Sequence, residues 1–188
     1  MMRAYFLERV PPRLFVPLAL ALAIAAAGGD YVVATLGVET TAAWLLLAEL
    51  RLWDDLADRA ADRATHPERV LVAAPSTRPF VVVCLGLAAV NFGWTAVRTA
   101  PGSALGILAA LHAVLGVWYA RRTARTLAGD QLLLAKYPAI VLALAGDRLT
   151  HAPVAIALSA LAVYGAASAY EAWHDPVSPL GTLLGGRS

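Results

Sequence analysis

The sequence predicts an all-α integral membrane protein, a bundle of about six transmembrane helices with both termini in the cytoplasm. Three observations carry this. The chain is 60% hydrophobic and 15% charged, with a mean hydropathy of +0.65, against about 25% charged in an ordinary soluble domain. Long apolar runs recur along it, and a hydrocarbon core of about 30 Å takes roughly 20 apolar residues per helical span. The basic residues alternate from side to side. With the amino terminus inside, twelve arginines fall on the inner side, namely Arg3, Arg9, Arg13, Arg51, Arg59, Arg63, Arg69, Arg78, Arg121, Arg122, Arg125 and Arg187. Only Arg98 and Arg148 fall in outer loops, as expected if cytoplasmic loops retain positive charge.

The first run, Leu14 to Gly28, is short and ends in AIAAAGG, which also resembles a small-residue cleavage site; the long segment MMRAYFLERVPPR before it favours a retained span over a signal peptide. The second, Val33 to Leu52, is broken by Glu39, Glu49 and, at its inner end, Arg51 before the charged segment that follows. Pro79 to Val97 and Ser103 to Ala120 are the third and fourth, joined by a Pro-Gly turn. Leu132 to Gly146 is the short fifth, with Lys136 inside it, and Ala152 to Tyr170 is the sixth. Continuous apolar runs favour helices over the alternating strands of a membrane barrel. Frequent Ala and Gly suit close helix approach in lipid. Residues 1–175 therefore read as one bundle and 176–188, with two prolines and several glycines, as an irregular tail. Cys84 is alone, which excludes an internal disulfide, and the net charge of +2 is a topology signal that gives no case for nucleic-acid binding.

Residues 50 to 71, LRLWDDLADRAADRATHPERVL, place four aspartates where the second span leaves the bilayer. Continued as a helix, Arg51, Asp55, Asp58 and Asp62 lie four, three and four residues apart and share a face, with Asp54 on the adjoining flank. Like charges at that spacing repel, so something must compensate. Arg59 and Arg63 offer one answer, a solvated salt-bridged helix. A hard divalent cation is the other, because magnesium is commonly held by one or two carboxylates and the oxygens of a substrate phosphate.

DDLADRAAD followed by HPERVL resembles the first signature of the UbiA-type membrane prenyltransferases, Asn-Asp-x-x-Asp-x-x-x-Asp and then a basic, proline-containing turn. Asp54 stands at the Asn position, Asp55, Asp58 and Asp62 at the aspartates, and Pro67 and Arg69 in the turn. Two further segments are similar to later family signatures. WYARRTAR supplies Tyr119, Arg121 and Arg122 after the fourth span, and YEAWHDP supplies Glu171 and Asp175 at the end of the sixth. The resemblance implies Mg2+ held by Asp54, Asp55, Asp58 and Asp62, with Glu171 and Asp175 as a second metal pair. It further implies an isoprenyl diphosphate contacted by Arg69, Tyr119, Arg121, Arg122 and Lys136, and transfer of the prenyl group to a lipid or aromatic acceptor. Asp55, Asp58 and Asp62 would be the catalytic carboxylates, facing the cytoplasm from a bacterial-type inner or plasma membrane. Typical members have more spans than this chain, so a compact enzyme, a homodimer that closes the cavity and a non-catalytic lipid-binding or scaffold protein are all open. The CDP-alcohol phosphotransferases are similar in size and span number, but Arg59 occupies their motif's glycine position and their distal aspartates are missing.

Ionisable groups inside a span are costly and often functional. Lys136 either snorkels or reaches an anion above the bundle. His112 and Asn91 are expected to hydrogen-bond to neighbouring helices, Glu49 to orient Arg51, and Glu39 to lie near water. Trp44, Trp53, Trp94, Trp118, Tyr119 and Trp173 read as an interfacial aromatic belt.

Overall fold

The computed structural model describes residues 1–29, 32–98, 102–122, 125–175 and 178–183, which are helical and contain no strand. The elements are α1 (Met2–Arg9), α2 (Pro12–Ala27), α3 (Val33–Thr65), α4 (Val70–Ala73), α5 (Arg78–Arg98), α6 (Ser103–Arg121), α7 (Leu127–Leu134), α8 (Lys136–Ala145), α9 (Arg148–His151), α10 (Pro153–His174) and α11 (Pro179–Leu183).

Among the described residues, five helical segments are long and apolar enough to cross a membrane, α3, α5, α6, the α7–α8 pair and α10. The sequence predicts a sixth at Leu14 to Gly28. There α2 is only 16 residues long and meets α1 at 64°, so the count reaches six if that bent pair is one span. Pro11 and Pro12 make the bend. Neither has an N–H to continue a helix, and Pro12 suits the first position of a new one. α2 stops at Gly28, whose φ of +62° is left-handed, and a Cβ there would lie 3.1 Å from Ile156 Cγ1 on α10. Glycine thus serves both the turn and the helix contact.

α3 has 33 residues, about 50 Å of helix at 1.5 Å per residue, which exceeds a bilayer core of about 30 Å. Its last turns must therefore project beyond the hydrocarbon, and they carry the aspartates. α2, α3, α6, α8 and α10 share the main core, with Leu22, Leu46, Leu108, Ile140 and Ile156 fully or almost fully enclosed. A second cluster at the aspartate end joins Tyr5, Leu52, Leu71 and Phe80. The outer faces of α5 and α10 instead expose Val82, Leu85, Val97, Val154, Leu158 and Leu161, the pattern of helices facing lipid.

Four sequence-based expectations are corrected. The fifth span begins at Leu127, five residues before the predicted Leu132, and is broken at Ala135. The tail contains the short α11 where irregular chain was expected; residues 176, 177 and 184–188 lie outside the described residues. Glu39 is buried rather than wet, because Arg98 at the end of α5 and Arg148 of α9 both close on it. Glu49 does not orient Arg51. It accepts from Asn91 of α5 and meets His112 of α6, so those two residues do link helices as expected.

Candidate functional site

The four aspartates of α3 are dispersed by the helical twist. Asp54 and Asp58, one turn apart, face α6 and α8, while Asp55 is rotated toward α1. Asp54 accepts from the Tyr119 hydroxyl and from Lys136 Nζ. Asp58 accepts from Arg122 Nη2, and Asp62 pairs with Arg69 Nη1 at 2.6 Å. Asp55 accepts from the Tyr5 hydroxyl at 2.8 Å and from Arg9 Nε and Nη2 at 2.9 and 2.7 Å, with Arg51 at 3.2 Å. The face predicted to present Asp55, Asp58 and Asp62 is thus Asp54, Asp58 and Asp62, and Asp55 is engaged elsewhere. Arg59 turns to the carbonyls of Leu71, Val72 and Ala74, satisfying the end of α4.

A cavity of about 680 Å³ lies against Asp54, Asp58 and Asp62. α6 brings Trp118, Arg122 caps that wall, and Arg125 enters from the following loop. Asp130, Leu133 and Leu134 come from α7, Lys136 and Tyr137 from the start of α8, and Glu171 from α10. Four cations, Arg51, Arg122, Arg125 and Lys136, therefore face five carboxylates, Asp54, Asp58, Asp62, Asp130 and Glu171. The break at Ala135 places Lys136 at this wall, where it meets Asp54 rather than snorkelling to bulk water. The Arg122 guanidinium also sits 4.9 Å over the Tyr119 ring. Arg121 is exposed, outside the wall, and makes no hydrogen bond or ion pair among the described residues. An apolar cleft of about 270 Å³ runs between α6 and α7–α8, lined by Ile107, Leu111, Val114, Leu132 and Ala139 among others.

Glu171 and Asp175 come together as the sequence suggests, but around an arginine. Arg125 Nη2 is 2.9 Å from Glu171, Nη1 is 2.7 Å from Asp175, and Nε is 3.0 Å from Asp130. Asp130 is a site residue that the sequence reasoning missed. Starting the fifth span at Leu132 left it in a loop, whereas an acid inside an apolar run from Leu127 is itself a signal. Its Oδ2 and the Trp118 Nε1 are buried without a hydrogen-bond partner among the described residues, so this wall has unused polar capacity. Gly129 lets the α7 backbone lie against the Trp118 indole, since a Cβ there would clash with Trp118 Cζ2.

Burial pushes the Asp58 carboxyl above its ordinary range, with Arg122 opposing it, and burial does the same to Asp55 against Arg51. The donor chemistry suits magnesium, a hard cation that takes carboxylate oxygens. The arrangement does not: each aspartate is already held by a cation, and among the described residues no three His, Cys, Asp or Glu side chains gather as a metal site. What the residues form is a lattice of ion pairs around a cavity. No protein-family model, curated protein or solved structure matches the chain.

Proposed function

We propose that this membrane protein binds a magnesium-complexed isoprenyl diphosphate in the cavity at the aspartate end and transfers its prenyl group to an acceptor, in the manner of the UbiA-type prenyltransferases. The observation that carries the proposal is convergence. Asp54, Asp58, Asp62, Arg122, Lys136 and Glu171 are scattered over more than half the chain, yet they line one cavity. Charge supports the complexed form of the ligand. Five carboxylates against four cations leave the wall slightly acidic, so a bare diphosphate would add to the excess, whereas a metal-bound one arrives with its charge reduced. Arg122 and Lys136 would exchange their carboxylates for diphosphate oxygens, which suit a guanidinium fork. The isoprenoid chain would occupy the apolar cleft between α6 and α7–α8. In the transfer, the bond from the allylic carbon to oxygen breaks and diphosphate leaves with the electron pair. The acceptor forms the new bond to that carbon and gives up a proton. The arginine distribution supports a cytoplasmic location for this end, at an inner or plasma membrane.

A second reading, a non-catalytic lipid-binding protein on the same bundle, is favoured by one observation. Asp55, which the resemblance makes catalytic, is committed to Tyr5, Arg9 and Arg51. Thermal stabilisation of the detergent-purified protein by farnesyl diphosphate, with and without Mg2+, tests binding. A magnesium-dependent shift in wild type that is lost in Asp58→Asn is expected, and no shift in wild type overturns both readings. Diphosphate release with a panel of lipid and aromatic acceptors then separates transfer from capture.

A further inference from the structure

Away from the cavity, three ionisable or amide side chains from three helices meet inside the apolar part of the bundle. Glu49 of α3 is 1% exposed. Its Oε2 accepts from Asn91 Nδ2 of α5, and its Oε1 lies 2.6 Å from His112 Nε2 of α6. The other ring nitrogen, His112 Nδ1, is 2.7 Å from the Leu108 carbonyl oxygen. Phe92 and Trp53 flank the imidazole, with centroids 4.9 and 5.6 Å away, and Cys84 is the nearby thiol.

The donors and acceptors can be counted. A backbone carbonyl only accepts, so Nδ1 carries a hydrogen. Nε2 and Oε1 at 2.6 Å cannot face each other with two lone pairs, so a second hydrogen lies between them. Asn91 supplies a hydrogen to Oε2 and therefore does not remove the need for that one. Whether the second hydrogen is covalently on the ring or on the carboxyl, the pair holds one proton more than a carboxylate beside a neutral imidazole, and its net charge is zero. That neutrality explains how Glu49 sits in the apolar bundle, where an uncompensated carboxylate is strongly disfavoured. We infer that Glu49 and His112 form a proton-binding site within the membrane-spanning bundle, occupied at neutral pH. The Trp53 ring lies between this site and Tyr119, the hydroxyl donor to Asp54, so the inference stands apart from the proposed ligand.

The test is magnetic resonance of the full chain in lipid nanodiscs at neutral pH, with 15N-labelled histidine and 13C-labelled glutamate. Two ring nitrogens of protonated type at His112, or one with a protonated Glu49 carboxyl, are expected. An ionised Glu49 beside a singly protonated His112 overturns the site. Glu49→Gln offers a check that preserves the contacts, because the glutamine N–H takes the place of the shared proton. Wherever the shared proton sits in wild type, His112 of the variant should carry a single ring proton, on Nδ1; a doubly protonated His112 there overturns the site as well. The wild-type measurement decides the question even if the variant does not fold.

Discussion

The Tyr5 hydroxyl donates to Asp55 Oδ2 at 2.8 Å across fifty residues of sequence. With the two Arg9 hydrogen bonds to the same carboxylate, this fixes α1 against the foot of α3. Tyr5 is fully enclosed and packs edge-on against Phe80, so α1 is docked by shape as well as charge. Removing one partner of a buried ion pair costs about 3 kcal/mol or more, and removing one neutral partner of a hydrogen bond about 1 kcal/mol. Asp55→Asn should therefore destabilise the fold by about 3 kcal/mol and Tyr5→Phe by about 1 kcal/mol in detergent unfolding titrations. Tyr5→Phe should leave farnesyl diphosphate binding unchanged. Equal and negligible losses would mean that Asp55 does not anchor α1.

At the opposite end Glu39 holds both Arg98, at 3.0 Å, and Arg148, which also donates to the Ala26 carbonyl at 3.1 Å. These are the two arginines that the sequence leaves in outer loops, and a single buried acid pairs with both. Glu39→Gln leaves two guanidinium groups with one neutral partner. A loss of about 3 kcal/mol is expected, and restoring part of it with Arg98→Gln would show that the surplus charge is the cause. No recovery in the double variant would place the effect in packing.

Gly129 faces the Trp118 indole so closely that a methyl group has no room. Gly129→Ala should cost about 2 kcal/mol through overpacking, and the cost should fall sharply in a Trp118→Leu background. A double-mutant cycle measures that coupling. Additive effects would refute the contact as the reason for glycine there.

The long apolar runs made the bundle legible, because a bilayer imposes length and composition on every crossing helix. Its break points were less so. Pro138, three residues beyond Ala135, did not reveal the interruption that presents Lys136 to Asp54, since membrane helices tolerate proline when neighbours satisfy the backbone. The aspartate motif was visible from spacing, yet spacing gives a shared face and not the partners that meet it. Tyr5 and Arg9 lie some fifty residues upstream of Asp55, and nothing local marks them as its partners. Glu39 read as wet because a lone acid near a helix end usually is; its two arginines arrive from the ends of helices distant in sequence.

Asp58 sets two opposing effects against each other at the cavity wall. Burial raises the proton affinity of its carboxyl, and Arg122 lowers it, with burial the larger of the two. In the pH interval between the ordinary carboxylate value and the raised one, the folded chain keeps a proton that the unfolded chain has released. Stability from this group is therefore present on the acid side and is lost as pH rises through the folded value. Wild-type unfolding midpoints should fall across that interval and then level, and Asp58→Asn should show a shallower fall. Some fall should persist in the variant, because Asp55 is shifted the same way. A wild-type midpoint that climbs with pH, and flattens in Asp58→Asn, would show the Arg122 pair outweighing burial. That outcome would also weaken the case that Arg122 is free to trade its carboxylate for a phosphorylated ligand.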